Sequence, residues 1–346
     1  VKFLHTADIH LKKGDKKRVE VLKWMVEKAD QEKIDYFIIA GDLFDSNTDA
    51  IELRPIVKSI FERTKIQFLI IPGNHDAGSY DPAHDYGQNV TQFYKSPFEI
   101  MEEQNMIICA VPYQNKKFSE CIKNIPTKID LLLCHGTLYD ESFIYSMLDD
   151  EETSYMPIFP GNLENISRYV ALGHLHAHTI ERKYKNTHVV YPGSPVAIDT
   201  KCTEKRYCYI LTMENNKLEI APLEIEISPY WVKKDFFVFP GNENALLANI
   251  ETHINGLKGQ RVMPDITVQG YIAENDRAFS ERIMSLKHKY ADDFEELRIE
   301  SEISTWSSIM QNQMVRNFVH RTAELDNDLR MKIFEIIFPI FNKTLK

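Results

Sequence analysis

Residues 38–45 read Ile38-Ile39-Ala40-Gly41-Asp42-Leu43-Phe44-Asp45. An apolar run that leads into a glycine is the pattern of a buried parallel strand, and this one delivers a carboxylate, Asp42, to the loop at its carboxyl end. Alone, Gly-Asp after a strand is also ordinary turn chemistry. Four other strand ends deliver Asp, Asn or His in the same way: Asp8 and His10, Asn74 and His75, His135, and His174 with His176. The repetition predicts that all of them converge on Asp42.

Working outward, the pattern from Lys2 to about Ser228 is strand, helix, strand, which implies a layered α/β domain of two sheets packed face to face with helices outside. Strands are expected at 2–6, 36–40, 67–71, 106–111, 129–134, 169–172, 187–191 and 207–213. Helical spacing is read over 18–32, 51–63 and 90–104, the last with a break near Pro97. Ser228-Pro229-Tyr230 reads as a boundary. Beyond it a small second domain alternates strand, helix, strand, helix, strand over 231–239, 243–255, 265–273, 276–290 and 294–301. From Ser307 onward the chain reads as helical, and Leu329 to Phe341 is too apolar for one face, so that helix is either buried on its own domain or binds something.

The 346 residues are 43% hydrophobic and 27% charged, the composition of a soluble globular protein. No apolar run approaches the length of a membrane span, and the strand-like start at Val1 leaves no room for a signal peptide in the sequence as given. Five scattered cysteines without CxxC spacing predict reduced thiols in a cytoplasmic protein. A formal net charge of −10 argues against a chain that grips nucleic acid by overall basicity. If it handles nucleic acid, a metal centre, a local basic patch or another subunit must supply the attraction.

Asp8 and His10 stand two apart beyond a strand, so an extended backbone turns both side chains to one side. Gly73 frees the backbone beside Asn74, whose carbonyl is an oxygen ligand. The alternating His174, His176 and His178 are the strongest single piece. Together these residues make two nitrogen and oxygen coordination shells. The absence of thiolates points away from structural zinc and toward Mn, Fe, Mg or a catalytic Zn. Asp42 is the best bridge, because a carboxylate can hold two cations roughly 4 Å apart.

At this point the motifs 5–11, 41–45, 73–76, 134–136 and 173–176 resemble the five ordered motifs of the calcineurin-like metallophosphoesterases. His5-Thr6-Ala7-Asp8-Ile9-His10-Leu11 and Tyr191-Pro192-Gly193-Ser194-Pro195 resemble the SbcD nucleases more narrowly. The resemblance implies a two-sheet metallophosphoesterase sandwich flanked by helices (1–228), a small α/β capping domain (229–302) and C-terminal helices (303–346). It implies that Asp8, His10 and His176 hold one metal, that Asn74, His135 and His174 hold the other, and that Asp42 bridges. The ions would be two divalent cations, Mn2+ first, with Mg2+, Fe2+ or Zn2+ as alternatives. His75 would act on the phosphate during attack. Asp76 would orient His75 or cap a helix. Asp45 stands where some archaeal members carry histidine, which leaves exonuclease preference open.

The family further implies a DNA nuclease subunit, with 3′ to 5′ exonuclease and single-strand or hairpin endonuclease activity, working in DNA break repair with an SbcC-like coiled-coil ATPase docked on the C-terminal helices. It also implies a homodimer through the helices at 51–63 and 90–104. Lys12, Lys13, Lys16, Lys17 and Arg18, with Lys201, Lys205 and Arg206, are candidate contacts to DNA phosphates, though a charge run is commonly a solvated loop. A small-phosphodiester or phosphoprotein substrate, and a non-catalytic scaffold of the ATPase, are the competing readings.

Overall fold

The computed structural model describes residues 1–141, 155–214, 217–273 and 276–344, without the side chains of 276 and 277. The chain divides into two units, Val1–Ser228 and Pro229–Lys346.

In the first unit the strands are β1 (Lys2–Thr6), β2 (Tyr36–Ala40), β3 (Gln67–Ile71), β4 (Val90–Gln92), β5 (Glu99–Glu103), β6 (Met106–Val111), β7 (Leu131–His135), β8 (Tyr169–Gly173), β9 (Ile180–Tyr184), β10 (Thr187–Tyr191), β11 (Tyr207–Glu214) and β12 (Lys217–Glu224). They form two six-stranded sheets in the orders β12-β11-β1-β2-β3-β4 and β5-β6-β7-β8-β10-β9. Strands β1 to β4 run parallel, as do β6, β7, β8 and β10, while β11 pairs antiparallel with β1 and the pairs β11-β12, β5-β6 and β9-β10 are antiparallel.

The continuous apolar runs are explained by burial on both faces. In β2, Tyr36, Ile38 and Ala40 face the second sheet and pack with Ile108, Leu131, Leu133 and Ala171. Phe37 and Ile39 face the other way, against Val21, Leu22 and Met25 of helix α1 (Lys16–Gln31) and Leu53, Val57 and Ile60 of α2 (Asn47–Phe61). Full burial of each such side chain is worth roughly 1.5–3 kcal/mol. Asp15 caps α1 by accepting from Lys17 N at 3.0 Å and Arg18 N at 3.3 Å, and Ser46 caps α2 by accepting from Asp49 N at 3.1 Å.

The helix expected over 90–104 is absent; that segment is the two short strands β4 and β5. Val90 to Gln92 pair in parallel with Phe68 to Ile70, which satisfies the free edge of β3, and Phe93 enters the space between the sheets. Glu99–Glu103 instead alternates along the edge of β6. Tertiary pairing has overridden a weak helical pattern already interrupted by Pro97. One of the two helices named for a dimer interface therefore does not exist. The other does, and on α2 Ile51 and Ile56 are exposed.

The second unit is a parallel sheet of β13 (Tyr230–Val238), β14 (Val262–Ile272) and β15 (Arg298–Thr305), in that order. One face is covered by α3 (Glu243–Leu257) and α4 (Asp276–Tyr290), through Leu246, Ile250, Ile254, Phe279 and Ile283. The other face meets α5 (Gln313–Arg321) and α6 (Asn327–Thr344), where Phe334, Phe338 and Phe341 surround Phe239 and Tyr271. Asn342 accepts from the Tyr271 hydroxyl at 3.0 Å and fixes α6 along β14. The opposite face of α6 leaves Leu329, Ile336 and Ile340 exposed, at 49%, 65% and 51%. No helix among the described residues is long and apolar enough to cross a membrane.

One buried titratable group lies in the core beneath the site. His5 is fully enclosed, its Nδ1 2.9 Å from the Tyr169 hydroxyl, and burial pushes its pKa down from 6.5 to about 3. A depressed histidine pKa means that the unfolded chain takes up a proton which the folded chain refuses. This contribution to stability is therefore complete above pH 6.5 and is lost as pH falls toward 3, at about 1.4 kcal/mol per pH unit. Urea unfolding of wild type and His5→Phe between pH 6.5 and 4.5 should show slopes against pH that differ by about that amount. Parallel slopes would contradict it.

Candidate metal centre

The five strand ends do meet. Asp8 and His10 follow β1, Asp42 follows β2, Asn74 follows β3, His135 ends β7, and His174 and His176 follow β8. Asp8, His10, Asp42 and His176 each offer a ligand atom within 4.8 Å of the others. Next to them Asn74 Oδ1 lies 2.9 Å from His135 Nε2 and 3.1 Å from His174 Nδ1. Asp42 Oδ2 is common to both groups, 3.8 Å from His10 Nε2 and 3.2 Å from His135 Nε2.

Glycines make this convergence possible. A Cβ at Gly73 would sit 2.1 Å from Asp42 Oδ1, one at Gly41 2.1 Å from His135 Nδ1, and one at Gly173 2.0 Å from the Ala40 carbonyl. The loops themselves are bent sharply, with positive φ at Asp8 (55°), His10 (49°), Asp42 (48°) and His174 (115°). Such backbone costs of order 1–3 kcal/mol per residue and persists where surrounding contacts over-determine it. Those contacts are visible. The His174 N–H donates to both Asp8 carboxylate oxygens at 2.9 Å, and the His75 N–H to Asp42 Oδ1 at 2.9 Å.

The donor chemistry fits cations. Asp42 Oδ2 is fully buried and lacks a well-formed hydrogen bond. His10 Nε2 and His176 Nε2 face each other at 3.1 Å. Burial lowers the pKa of both rings, and for His176 repulsion from His10 and His174 adds to it, so both present lone pairs. His135 donates from Nδ1 to the Ala40 carbonyl at 2.9 Å, which aims Nε2 at Asp42 and Asn74. Burial alone would lower its pKa, but the Asp42 carboxylate, with Asp8 beyond it, pushes it up to about 9, so the ring carries a proton that a bound cation would displace. Burial alone would raise the Asp42 carboxyl, but the positive charge of His135, 3.2 Å away, holds it below the usual carboxylate range. The pocket draws positive charge. Asp8, His10, Asp42 and His176 could hold one divalent cation, and Asp42, Asn74, His135 and His174 a second.

His75 reaches the Asp45 carbonyl with Nδ1 at 3.2 Å, which leaves Nε2 free for proton transfer. Asp76 does not orient His75, and it makes no side-chain cap bond. It is buried and accepts from Gly73 N at 2.9 Å, Phe44 N at 3.1 Å and the Tyr80 hydroxyl at 2.8 Å. It thus ties the Asp42 loop to the Asn74 loop from behind. Burial, with the charge of Asp42 added, pushes its pKa up to about 7. The orienting partner of His75 is a main-chain carbonyl, which no side-chain motif advertises. Tyr191 also escapes a reading of the sequence: its hydroxyl donates to the Gly136 carbonyl at 2.6 Å and accepts from Leu138 N at 3.0 Å, fixing the His135 loop. Tyr113 and Tyr155 stand edge-on to His135 and His174, with ring centroids 6.5 and 5.6 Å apart.

The basic residues are largely engaged. Lys12 pairs with Asp45 at 2.8 Å, Lys13 with Glu52 at 2.8 Å, Arg18 with Asp15 at 2.8 Å and Asp45 at 3.4 Å, and Lys205 with Glu224 at 2.9 Å. Lys16 and Lys201 are exposed and Lys17 is half-buried. Arg206 is not a surface residue at all: it is 2% exposed and bonded to main-chain carbonyls. His178 lies outside the cluster, exposed and 3.5 Å from Glu204.

The profile of the calcineurin-like phosphoesterases matches residues 1–220. The chain belongs to that family. Among its relatives, the SbcD component of the nuclease SbcCD from Escherichia coli (strain K12) is 21% identical over 268 residues, covering 63% of this chain and 66% of that protein. The SbcD component from Staphylococcus epidermidis is 26% identical over 266 residues, covering 63% and 67%. The uncharacterized metallophosphoesterase YhaO of Bacillus subtilis is 23% identical over 305 residues, covering 79% and 72%. The chain thus spans just under two thirds of the length of the Escherichia coli protein, and its fold is that of a calcineurin-like phosphoesterase.

Because Gly73 abuts the shared carboxylate, Gly73→Ala should weaken divalent-ion binding by about 10- to 100-fold without removing a ligand. Isothermal titration with Mn2+ checks this, and wild-type affinity would show that Asp42 has room to move.

Proposed function

We propose that this chain is a phosphodiesterase that uses two divalent cations, Mn2+ foremost, and that its substrate is DNA. The observation that carries the two-ion reading is Asp42 Oδ2, buried without a well-formed hydrogen bond between imidazoles that follow strands of opposite sheets. Cations held there would supply Lewis-acid charge at a phosphoryl oxygen and acidify water. The chain's own part is to hold Asp42 ionised, to keep His10 and His176 neutral and His135 aimed at the same oxygen, and to present His75 Nε2 at the leaving oxygen. The substrate class rests on the similarity to nuclease components and on the motif forms at 5–11 and 191–195.

One observation favours a smaller phosphodiester. Lys12, Lys13 and Arg18 beside the site are already paired with carboxylates, and the net charge is −10. The two readings join if the DNA grip is borrowed from a partner. The exposed stripe Leu329, Ile336 and Ile340 on α6, set on a helix whose other face is packed, supports docking of a coiled-coil ATPase of the SbcC kind. We place the second unit in that role: the 229–302 segment as cap and the C-terminal helices as dock.

The chain together with its co-purified ATPase and Mn2+ should cleave duplex ends or hairpins as well as bis(p-nitrophenyl) phosphate, and activity of that complex on the small ester alone would remove DNA. His75→Ala should lower kcat by about 100-fold or more with two ions still bound. Asp42→Asn should weaken both ions together and Asp8→Asn mainly one, as read by elemental analysis. Ile336→Asp with Ile340→Asp should abolish co-purification with the partner ATPase and leave turnover of the small ester unchanged.

A further inference from the structure

Arg206 lies one residue before β11, in the sheet that also holds β1, whose end carries Asp8 and His10. His176 follows β8 in the opposite sheet. The guanidinium crosses that divide. Its Nε donates to the Ser194 carbonyl at 2.7 Å, Nη1 to the Ala177 carbonyl at 2.8 Å and Nη2 to the His176 carbonyl at 2.5 Å. The Ser194 N–H reaches the same His176 carbonyl at 3.1 Å. The side chain is buried, and a planar fork of fixed donors suits three carbonyls that point in different directions. Gly193, at φ 74°, leaves the room: a Cβ there would lie 2.6 Å from Nη2 and 3.1 Å from the His176 carbonyl.

We propose that Arg206 is a positioning residue, which clamps the main chain of His176 so that its ring meets Asp8, His10 and Asp42. The proposal rests on the two-ion reading above. A neutral donor would suffice merely to join two loops, since desolvating a cation is costly. A fixed positive charge that bonds the carbonyls of a ligand residue and of its neighbour, His176 and Ala177, does more: it holds that residue's main chain against the sheet that carries Asp8, His10 and Asp42. His174, two residues earlier, has a separate anchor in the Asp8 carboxylate. The two ligands of one loop are therefore held independently, and loss of Arg206 should affect one ion and not the other.

The test is Mn2+ binding to the full chain by isothermal titration, with electron paramagnetic resonance to follow the paired-ion signal. Wild type should bind two ions. Arg206→Met should weaken one of them by about tenfold or more, with loss of the paired signal, and leave the other within about twofold. Arg206→Lys, which keeps the charge but reaches fewer carbonyls, should recover part of the loss. In a His176→Ala background Arg206→Met should change ion affinity no further. Equal weakening of both ions, or wild-type binding of both by Arg206→Met, would overturn the proposal. Should Arg206→Met fail to fold, Arg206→Lys carries the comparison: selective weakening of one ion supports the clamp, and unchanged binding overturns it. A wild type that binds no Mn2+ overturns the two-ion reading itself, and a wild type that binds two isolates any failure to the clamp.

Discussion

A carboxylate taken wholly out of water must find compensating charge or raise its pKa, and Asp42 does the first. The rest of the first unit follows from that requirement. Imidazoles that follow strands of both sheets are brought within 4 Å of one oxygen, and the backbone around them is held at positive φ to do so. The cores on either side of the sheets provide the rigidity that lets such loops persist. Asp76 and Tyr191 then fix the loops from behind through main-chain groups, so that the ligands themselves are free of other tasks.

What was legible in the sequence was whatever a strand end announces. Asp8, His10, Asp42, Asn74, His135, His174 and His176 all sit at the carboxyl ends of parallel strands, where an α/β sheet collects polar groups, and the apolar runs before them set the register. What was illegible depended on partners far away in the chain. Arg206, in a run with Lys205 and Glu204, reads as surface, and only the approach of the His176 loop buries it. Lys12 and Arg18 read as a basic patch until Asp45 and Asp15 are seen beside them. The segment 90–104 reads as helix because the free edge of β3 leaves no trace in its own residues.

The second unit separates two tasks that the sequence merged. The excess of apolar residues in α6 divides into Phe334, Phe338 and Phe341, which pack with Phe239 and Tyr271, and Leu329, Ile336 and Ile340, which do not. The first set accounts for the stability of the unit. The second set lies exposed and outside that cluster.

Gly41, Gly73 and Gly173 each bring one loop into contact with the next, so that the loop after β2 presses on His135, the loop after β3 presses on Asp42, and the end of β8 presses on Ala40. The loops after β2 and β3 and the end of β8 are for this reason one interlocked body, while the main chain of His176 has its own anchor in Arg206. Substitutions at those three glycine contacts should be felt jointly, with coupling energies that no sum of single changes recovers. A substitution that alters what the centre accepts without disturbing the lock therefore has to fall at its rim.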